Sequence, residues 1–250
     1  MPTAIWIRNS AEVSSLVTTS VRRFYSVQRA AALDSTQFYQ HADYSRGLRV
    51  PKLDRVLASS LLKKVTSKLV IDTVSTKTGA HKVFYQEACR YWAKSSNFSP
   101  RFVRNGESVD QPHGRIISFD DASAAGLVNC LLNSSLFYWY YSTLADCEHI
   151  NDSLVRAFPL PSDWRTTDWI KLASEIDAAL RESAKSKSIL TKQGHVIEYD
   201  EIEGRRARDV ILHADVAFAR HFDFSPVELD YLVSYDIKYR MGQDAKDDDD

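Results

Sequence analysis

The chain has 250 residues, of which 44% are hydrophobic and 26% are charged, and its formal net charge is −1. This composition is typical of an ordinary soluble protein, with enough chain for one large domain or two small ones. The sequence shows neither an apolar run long enough to span a bilayer nor a basic-then-apolar secretory signal at its N-terminus. We therefore predict a cytoplasmic protein with no membrane partner.

The first 161 residues are predicted to combine helices with short strands. Residues 4–7 form an apolar segment that predicts a strand, and its position beside Met1 leads us to expect a piece of a longer protein. Pro51 fits the first turn of a helix from 53 to about 71, whose apolar residues recur at helical spacing. Aromatic and β-branched runs predict strands at 83–85, 91–92, 98, 102–103 and 115–119, with turns at 105–106 and 112–114.

A central helix is predicted next, followed by a mainly helical C-terminal portion. Asp120 or Asp121 is expected to cap a helix from about 122 to 141, which is apolar nearly all round and so belongs at the centre of the fold. A rigid extended segment follows at 158–161. Helices are then predicted at 169–180, at about 207–222 after a polar link at 185–195, and from Pro226 through Tyr235, where Ser225 and Glu228 form a capping box. The acidic residues 244–250 are predicted to be a disordered tail.

The sequence contains no complete catalytic motif. It lacks a Gly-x-Gly-x-x-Gly loop, a Walker lysine loop, a His-Glu-x-x-His pair and a Gly-x-Ser-x-Gly elbow. Residues 236–238 imitate half of a metal-nuclease pattern, but their position at the end of a short helix favours a surface turn. The spacings of Cys89, Cys130 and Cys147 fit no zinc site and predict buried thiols. We therefore predict no metal, no cofactor and no enzymatic activity.

The charge is distributed unevenly along the chain. Residues 1–115 hold 18 Lys and Arg against 8 Asp and Glu, a balance of +10, and the remainder has a balance of −11. Such asymmetry favours a polyanionic partner for the basic half, although a solvated basic face on a neutral protein explains the charge equally well. Within this half, the stretch from Lys82 to Arg115 interleaves cations with aromatics, the residue types that neutralise phosphates and stack on exposed bases. At least half of these aromatics are expected to be core residues instead.

Residues 133–141, Asn-Ser-Ser-Leu-Phe-Tyr-Trp-Tyr-Tyr, carry a resemblance to a known family. With residues 146–151 and 158–161, they resemble the C-terminal specificity region of adenine-N6 DNA methyltransferases of restriction-modification and phage-defence systems, often called a TaqI-like specificity domain. Residues 91–102 are similar to the preceding segment of fused restriction-and-modification enzymes, and residues 197–240 are similar to their C-terminus. The likeness covers nearly the whole chain.

The resemblance implies recognition without catalysis. In the family, a preceding domain holds S-adenosylmethionine on a Gly-containing loop and the flipped adenine on an Asn-Pro-Pro-(Tyr/Phe) motif, and this chain contains no Asn-Pro dipeptide. We therefore predict an α+β fold with a DNA target-recognition portion at 1–161, a helical portion at 162–243 and the tail at 244–250. The chain would act in trans with a separately encoded catalytic chain, self-associate through the strand at 4–7, or be a truncated product. An intact methyltransferase or nuclease is disfavoured.

The predicted contacts with double-stranded DNA lie on nine residues of the basic half. We expect five of the cations to share one concave face, with Arg22 and Arg23 at its rim. Side chains on opposite faces, or paired with carboxylates, would instead favour a protein-interaction module that binds a methyltransferase without contacting DNA. The nine residues are Arg22, Arg23, Lys82, Tyr85, Arg90, Lys94, Arg101, Arg104 and Arg115, and the five on the concave face are Arg90, Lys94, Arg101, Arg104 and Arg115.

Overall fold

A computed structural model describes residues 16–22, 24, 26–41, 50–89 and 91–240. The predicted strand at 4–7, the tail at 244–250, and Arg23 and Arg90 lie outside the described residues. The fold is α+β, as predicted, with a helical C-terminal part. The helices are α1 (Arg29–Asp34), α2 (Val56–Lys64), α3 (Ile71–Val74), α4 (Ala122–Asn133), α5 (Ser135–Leu144), α6 (Asp152–Arg156), α7 (Trp169–Ser183), α8 (Arg208–His221), α9 (Pro226–Ser234) and α10 (Ile237–Arg240).

The strands form small antiparallel sheets. The strands are β1 (Leu16–Thr18), β2 (Tyr39–His41), β3 (His81–Gln86), β4 (Phe102–Arg104), β5 (Glu107–Ser108), β6 (Gly114–Phe119), β7 (Lys185–Leu190) and β8 (Val196–Glu201). In one sheet β1 pairs with β2, in another β3 pairs with β6, and a four-stranded sheet has the order β5-β4-β8-β7. The β4–β8 ladder pairs residues that lie on either side of position 161 in the sequence.

The core is built around the predicted central helix, which the structure divides into α4 and α5. The Asp121 side chain caps α4, as predicted, by accepting hydrogen bonds from the backbone N–H groups of Ser123 and Ala124. Ser134 is extended and its hydroxyl caps α5 by accepting from the N–H of Phe137, so the chain starts a new helix there. Helices α4 and α5 are buried on nearly every side, because they are surrounded by β3, β6, α7, α8 and α9.

The predicted helix at 53–71 is shorter than expected. It forms as α2 and ends at Lys64, and α3 begins separately at Ile71. Thr66 donates its hydroxyl hydrogen bond to the carbonyl of Lys63, and the hydroxyl of Ser67 accepts from the N–H of Leu69. Hydroxyl side chains that bond to nearby backbone compete with helix formation, which explains the break.

The predicted polar link at 185–195 is wrong, because it forms most of the β7–β8 hairpin. Every residue of β7 is exposed, so the strand shows none of the apolar alternation that a half-buried strand carries. Gly194 supplies the tight turn with a φ of +83°. The strands predicted at 91–92 and 98 also do not form, since both lie in a loop that packs against α4.

The remaining helices agree with the sequence. Asp168 caps α7, and Ser225 and Glu228 form the predicted capping box of α9 with Pro226 in its first turn. Cys89 and Cys130 are buried, as predicted, and Cys147 is half-buried. Within the described residues, no helix is both long and apolar enough to cross a membrane.

Candidate functional site

The predicted DNA-binding residues do not form one concave face. Arg101 and Arg104 are three positions apart on or beside β4, and alternate residues of a strand point to opposite faces of a sheet. Arg101 also pairs with Glu198, whereas Arg104 is exposed. Because the two arginines emerge on opposite sides, the expectation that they share one groove is wrong.

The β3–β6 hairpin separates its own cations in the same way. Lys82 lies opposite Ser118, and Arg115 lies opposite Tyr85, so the two cations point to opposite faces. Arg115 pairs with Glu87. Tyr85 is fully buried in the core and donates its hydroxyl hydrogen bond to Asp152 at 3.3 Å, so its prediction as a DNA contact is also wrong.

The two other described residues of the predicted set occupy different surroundings. Arg22 is exposed and donates to the carbonyl of Ala32 at 3.1 Å and to the hydroxyl of Ser35 at 2.8 Å. Lys94 is exposed, has a positive φ of 49°, and lines a cavity of about 530 Å³. Of the nine predicted residues, Arg22 lines a separate cavity of about 400 Å³ that also contains Asp54 and Asp236, and Lys94 lines the cavity of about 530 Å³.

This cavity is lined mainly by cations and aromatic rings, and we call it the cationic cavity. Its volume falls within the range of small-molecule and cofactor sites, roughly 300–1,000 Å³. Glu148, which is exposed, is the one carboxylate among its described lining residues. The residues that define it here are Tyr91, Trp92, Lys94, Glu148, Arg205 and Arg240.

One wall of the cationic cavity is a loop held by Asn133. The Nδ2 of Asn133 donates to the carbonyl of Ser95 at 2.9 Å, and its Oδ1 accepts from the N–H of Ser95 at 3.3 Å. On the same loop, the N–H of Ser96 donates to the carbonyl of Phe84 at 3.0 Å. These bonds fix the loop that carries Trp92 and Lys94.

A second wall is held by Ser135. Its hydroxyl accepts a hydrogen bond from Arg240 Nη2 at 2.5 Å and donates to Asp215 Oδ2 at 2.6 Å, while its N–H donates to Asp215 Oδ1 at 2.7 Å. Burial raises the pKa of Asp215 to about 6, although the bonds from Ser135 and the charge of Arg240 lower it. Both walls thus depend on the Asn-Ser-Ser segment that carries the resemblance.

A third wall is formed by the residues that come after β8 in the sequence. There Gly204 packs against the indole of Trp92. A Cβ at position 204 would overlap with Cε3 and Cζ3 of that ring, so only glycine allows this approach. The next residue, Arg205, lies 3.5 Å from Glu203, which also pairs with Lys185 and Arg206. These three cations therefore share one carboxylate.

The sequence patterns did not indicate Arg205, Arg240 and Glu148 as site residues. The Arg205-Arg206-x-Arg208 cluster was a signal for the first, but nothing in the local pattern joins residues near 91, 148, 205 and 240. Long-range packing brings these four regions to one cavity. Across the described ranges, no three His, Cys, Asp or Glu side chains cluster in a way that could hold a metal ion.

No family model, curated protein or solved structure matches this chain. The structure shows an α+β fold with a cation-lined cavity whose lining residues come from both sides of residue 161 in the sequence.

Proposed function

We propose that this chain is the DNA target-recognition module of an adenine-N6 methyltransferase system and acts with a separately encoded catalytic chain. The observation that carries the proposal is the position of the resembling segment. Asn133 and Ser135 of that segment hold two walls of the cationic cavity. The cavity combines Lys94, Arg205 and Arg240 with aromatic rings, which suits the phosphates and bases of nucleic acid.

The proposed DNA contact is smaller than the groove expected from sequence. Lys82 extends it, because Lys82 and Gln86 lie on one face of β3 and Gln86 lines the cavity. Arg101 and Arg115 are held in surface ion pairs that solvent screens, so these pairs alone would not prevent a contact. Neither arginine lines the cavity.

Binding of a labelled duplex to the purified chain tests the proposal. Fluorescence anisotropy at low salt should show saturable binding, and Lys94→Ala should weaken it. Lys171→Ala is the matched control, since Lys171 is exposed on α7 and does not line the cavity. Equal affinities for the wild type and both variants, or no binding by any of them, would contradict a DNA contact at the cavity.

The absence of catalytic motifs gives the same proposal a second test. The chain alone should bind no S-adenosylmethionine and transfer no methyl group, and addition of a catalytic chain with Asn-Pro-Pro-Tyr should restore methylation. Calorimetry with S-adenosylmethionine and labelled methyl transfer to DNA measure both. A saturable cofactor site in this chain alone would be evidence against the assignment.

A protein-interaction module is the second candidate, and two observations favour it. The first is the dispersal of the predicted groove. The second is the end of the β7–β8 hairpin, where Ile189, Leu190 and Val196 are 47%, 74% and 43% exposed. In the described part of the chain β7 is also one of the two edge strands of its sheet, and such edges pair readily with other chains. Capture of a catalytic chain that Leu190→Lys abolishes, without any DNA binding, would establish this function instead.

A further inference from the structure

Two side chains that line the cationic cavity carry buried hydrogen-bond donors without acceptors. Trp92 Nε1 is one, and Arg240 contributes two through Nε and Nη1; none has a partner among the described residues. Trp92 is 8% exposed and Arg240 is 9% exposed, so bulk water reaches little of either. A buried donor left without a partner costs about 1–3 kcal/mol, and folded proteins rarely retain one without a reason.

We propose that the cationic cavity is a phosphate-binding site in which Trp92 Nε1 and the Arg240 guanidinium donate to the phosphate oxygens. This deepens the proposed function and rests on it for the source of the phosphate, a nucleic-acid backbone. Free phosphate and a phosphodiester both present nonbridging oxygens, and competition between phosphate and duplex DNA distinguishes them.

The charges around the cavity fit an anion. Lys94, Arg205 and Arg240 are cationic, and Glu148 is the one acidic side chain among the described lining residues. Burial lowers the pKa of Arg240, and the charges of Asp215 and Asp236 raise it. The guanidinium uses Nη2 for Ser135, and its Nε and Nη1 groups have no acceptor among the described residues. Each of these two groups can donate one charge-assisted hydrogen bond to a phosphate oxygen.

Calorimetric titration of the full chain with inorganic phosphate, at constant ionic strength in chloride, tests the site without DNA. The wild type should give a saturable isotherm. Trp92→Phe keeps an aromatic ring at this position and removes the Nε1 donor, so phosphate should bind roughly tenfold more weakly. Trp164→Phe is the control, because Trp164 is buried but does not line the cavity. Circular dichroism establishes that each variant is folded.

Glu148→Gln should change the affinity for phosphate in the opposite direction to Trp92→Phe. Removing the negative charge should tighten phosphate binding, whereas a nonspecific loss of structure could only weaken it. Phosphate that competes with duplex DNA in the anisotropy assay identifies the phosphodiester as the source. Phosphate that binds while DNA does not would sustain the site and overturn the proposed function. DNA that binds equally to wild type and Trp92→Phe, with no isotherm for phosphate, would overturn the site alone.

Discussion

The side-chain amide of Asn133 pairs with the peptide of Ser95 in both directions, donating to its carbonyl and accepting from its N–H. The same Nδ2 lies 3.1 Å from Asn129 Oδ1, and Asn129 in turn donates to Asp177 Oδ1 at 3.0 Å. This buried network connects α4, α7 and the loop that carries Trp92. Its members are satisfied by one another, so loss of a single donor leaves buried acceptors unpaired.

Asn133→Asp should therefore destabilise the protein. The variant keeps an oxygen for the N–H of Ser95 but places a carboxylate against the Ser95 carbonyl and Asn129 Oδ1. We expect the free energy of unfolding to fall by about 2–4 kcal/mol, measured by urea denaturation. Asn151→Asp is the matched control, because Asn151 is exposed and makes no capping bond through its side chain. It should change stability by less than about 0.5 kcal/mol.

Gly204→Ala should disturb the cavity specifically. The new methyl group overlaps with the Trp92 ring, and overpacking of this kind costs about 1–3 kcal/mol. Displacement of the indole should also weaken phosphate binding. Gly194→Ala strains a residue with positive φ but meets nothing within 4 Å, so it should lower stability and leave phosphate binding unchanged. Identical phosphate affinities for the two variants would contradict the positioning role of Gly204.

Local signals predicted the helices better than the site. Asp121, Ser225 and Glu228 make the capping bonds that their spacing indicates, because a cap depends on residues three or four positions apart. The β7–β8 hairpin escaped prediction, since every residue of β7 is exposed and the apolar alternation of Lys185–Leu190 is absent.

The predicted groove failed for a different reason. A count of cations along the sequence carries no information about which face of a strand each one occupies, and Arg101 and Arg104 differ by an odd number of positions. The same limit applies to Tyr85, because an aromatic residue in a basic stretch can pack in the core as well as lie on a DNA-binding surface, and Tyr85 lies in the core. The cationic cavity depends on long-range packing, which the pattern near Lys94 does not record.

Asp177 should make the stability depend on pH in the acidic range. Burial raises the pKa of Asp177 from 3.8 to about 6, against hydrogen bonds from Asn129 and the N–H of Asn97 that lower it. The folded state then binds the proton more tightly than the unfolded state, so this contribution to stability falls as the pH rises from about 4 to about 6. Asp177→Asn removes the penalty, and its Oδ1 can still accept both bonds.

We expect Asp177→Asn to exceed the wild type in free energy of unfolding by on the order of 2 kcal/mol at pH 7, with the difference vanishing near pH 4. Urea unfolding at both pH values measures it. The control is Asp110→Asn, which alters an exposed loop carboxylate and should change stability by less than about 0.5 kcal/mol. If the free energy of unfolding of the variant, relative to the wild type, were lower at pH 7 than at pH 4, the ionised carboxylate would be stabilising instead.

Glu228 should have the opposite pH dependence. Burial alone would raise its pKa, but bonds from Lys64 at 2.7 Å, Ser225 and Ser60 lower the pKa to about 2. Its contribution is complete above about 4.5 and is lost as the pH falls towards 2. Glu228→Gln should cost about 2–4 kcal/mol at pH 7, because it leaves Lys64 without its charge partner. The loss should shrink at pH 3, and a constant loss at both pH values would exclude the charge as its cause.

The opposite orientation of Arg101 and Arg104 predicts how DNA binding responds to salt. A straight duplex contacts one face of the four-stranded sheet, so at most one of these arginines can neutralise a phosphate. Because Arg101 does not line the proposed contact, Arg101→Ala should leave the slope of log affinity against log salt unchanged, and Arg104→Ala should reduce its magnitude by at most about 0.9. Anisotropy titrations between 50 and 200 mM salt, roughly the range over which phosphate contacts weaken, measure both slopes. Equal reductions in the two variants would require DNA on both faces at once, which the strand geometry does not allow for a single rigid duplex.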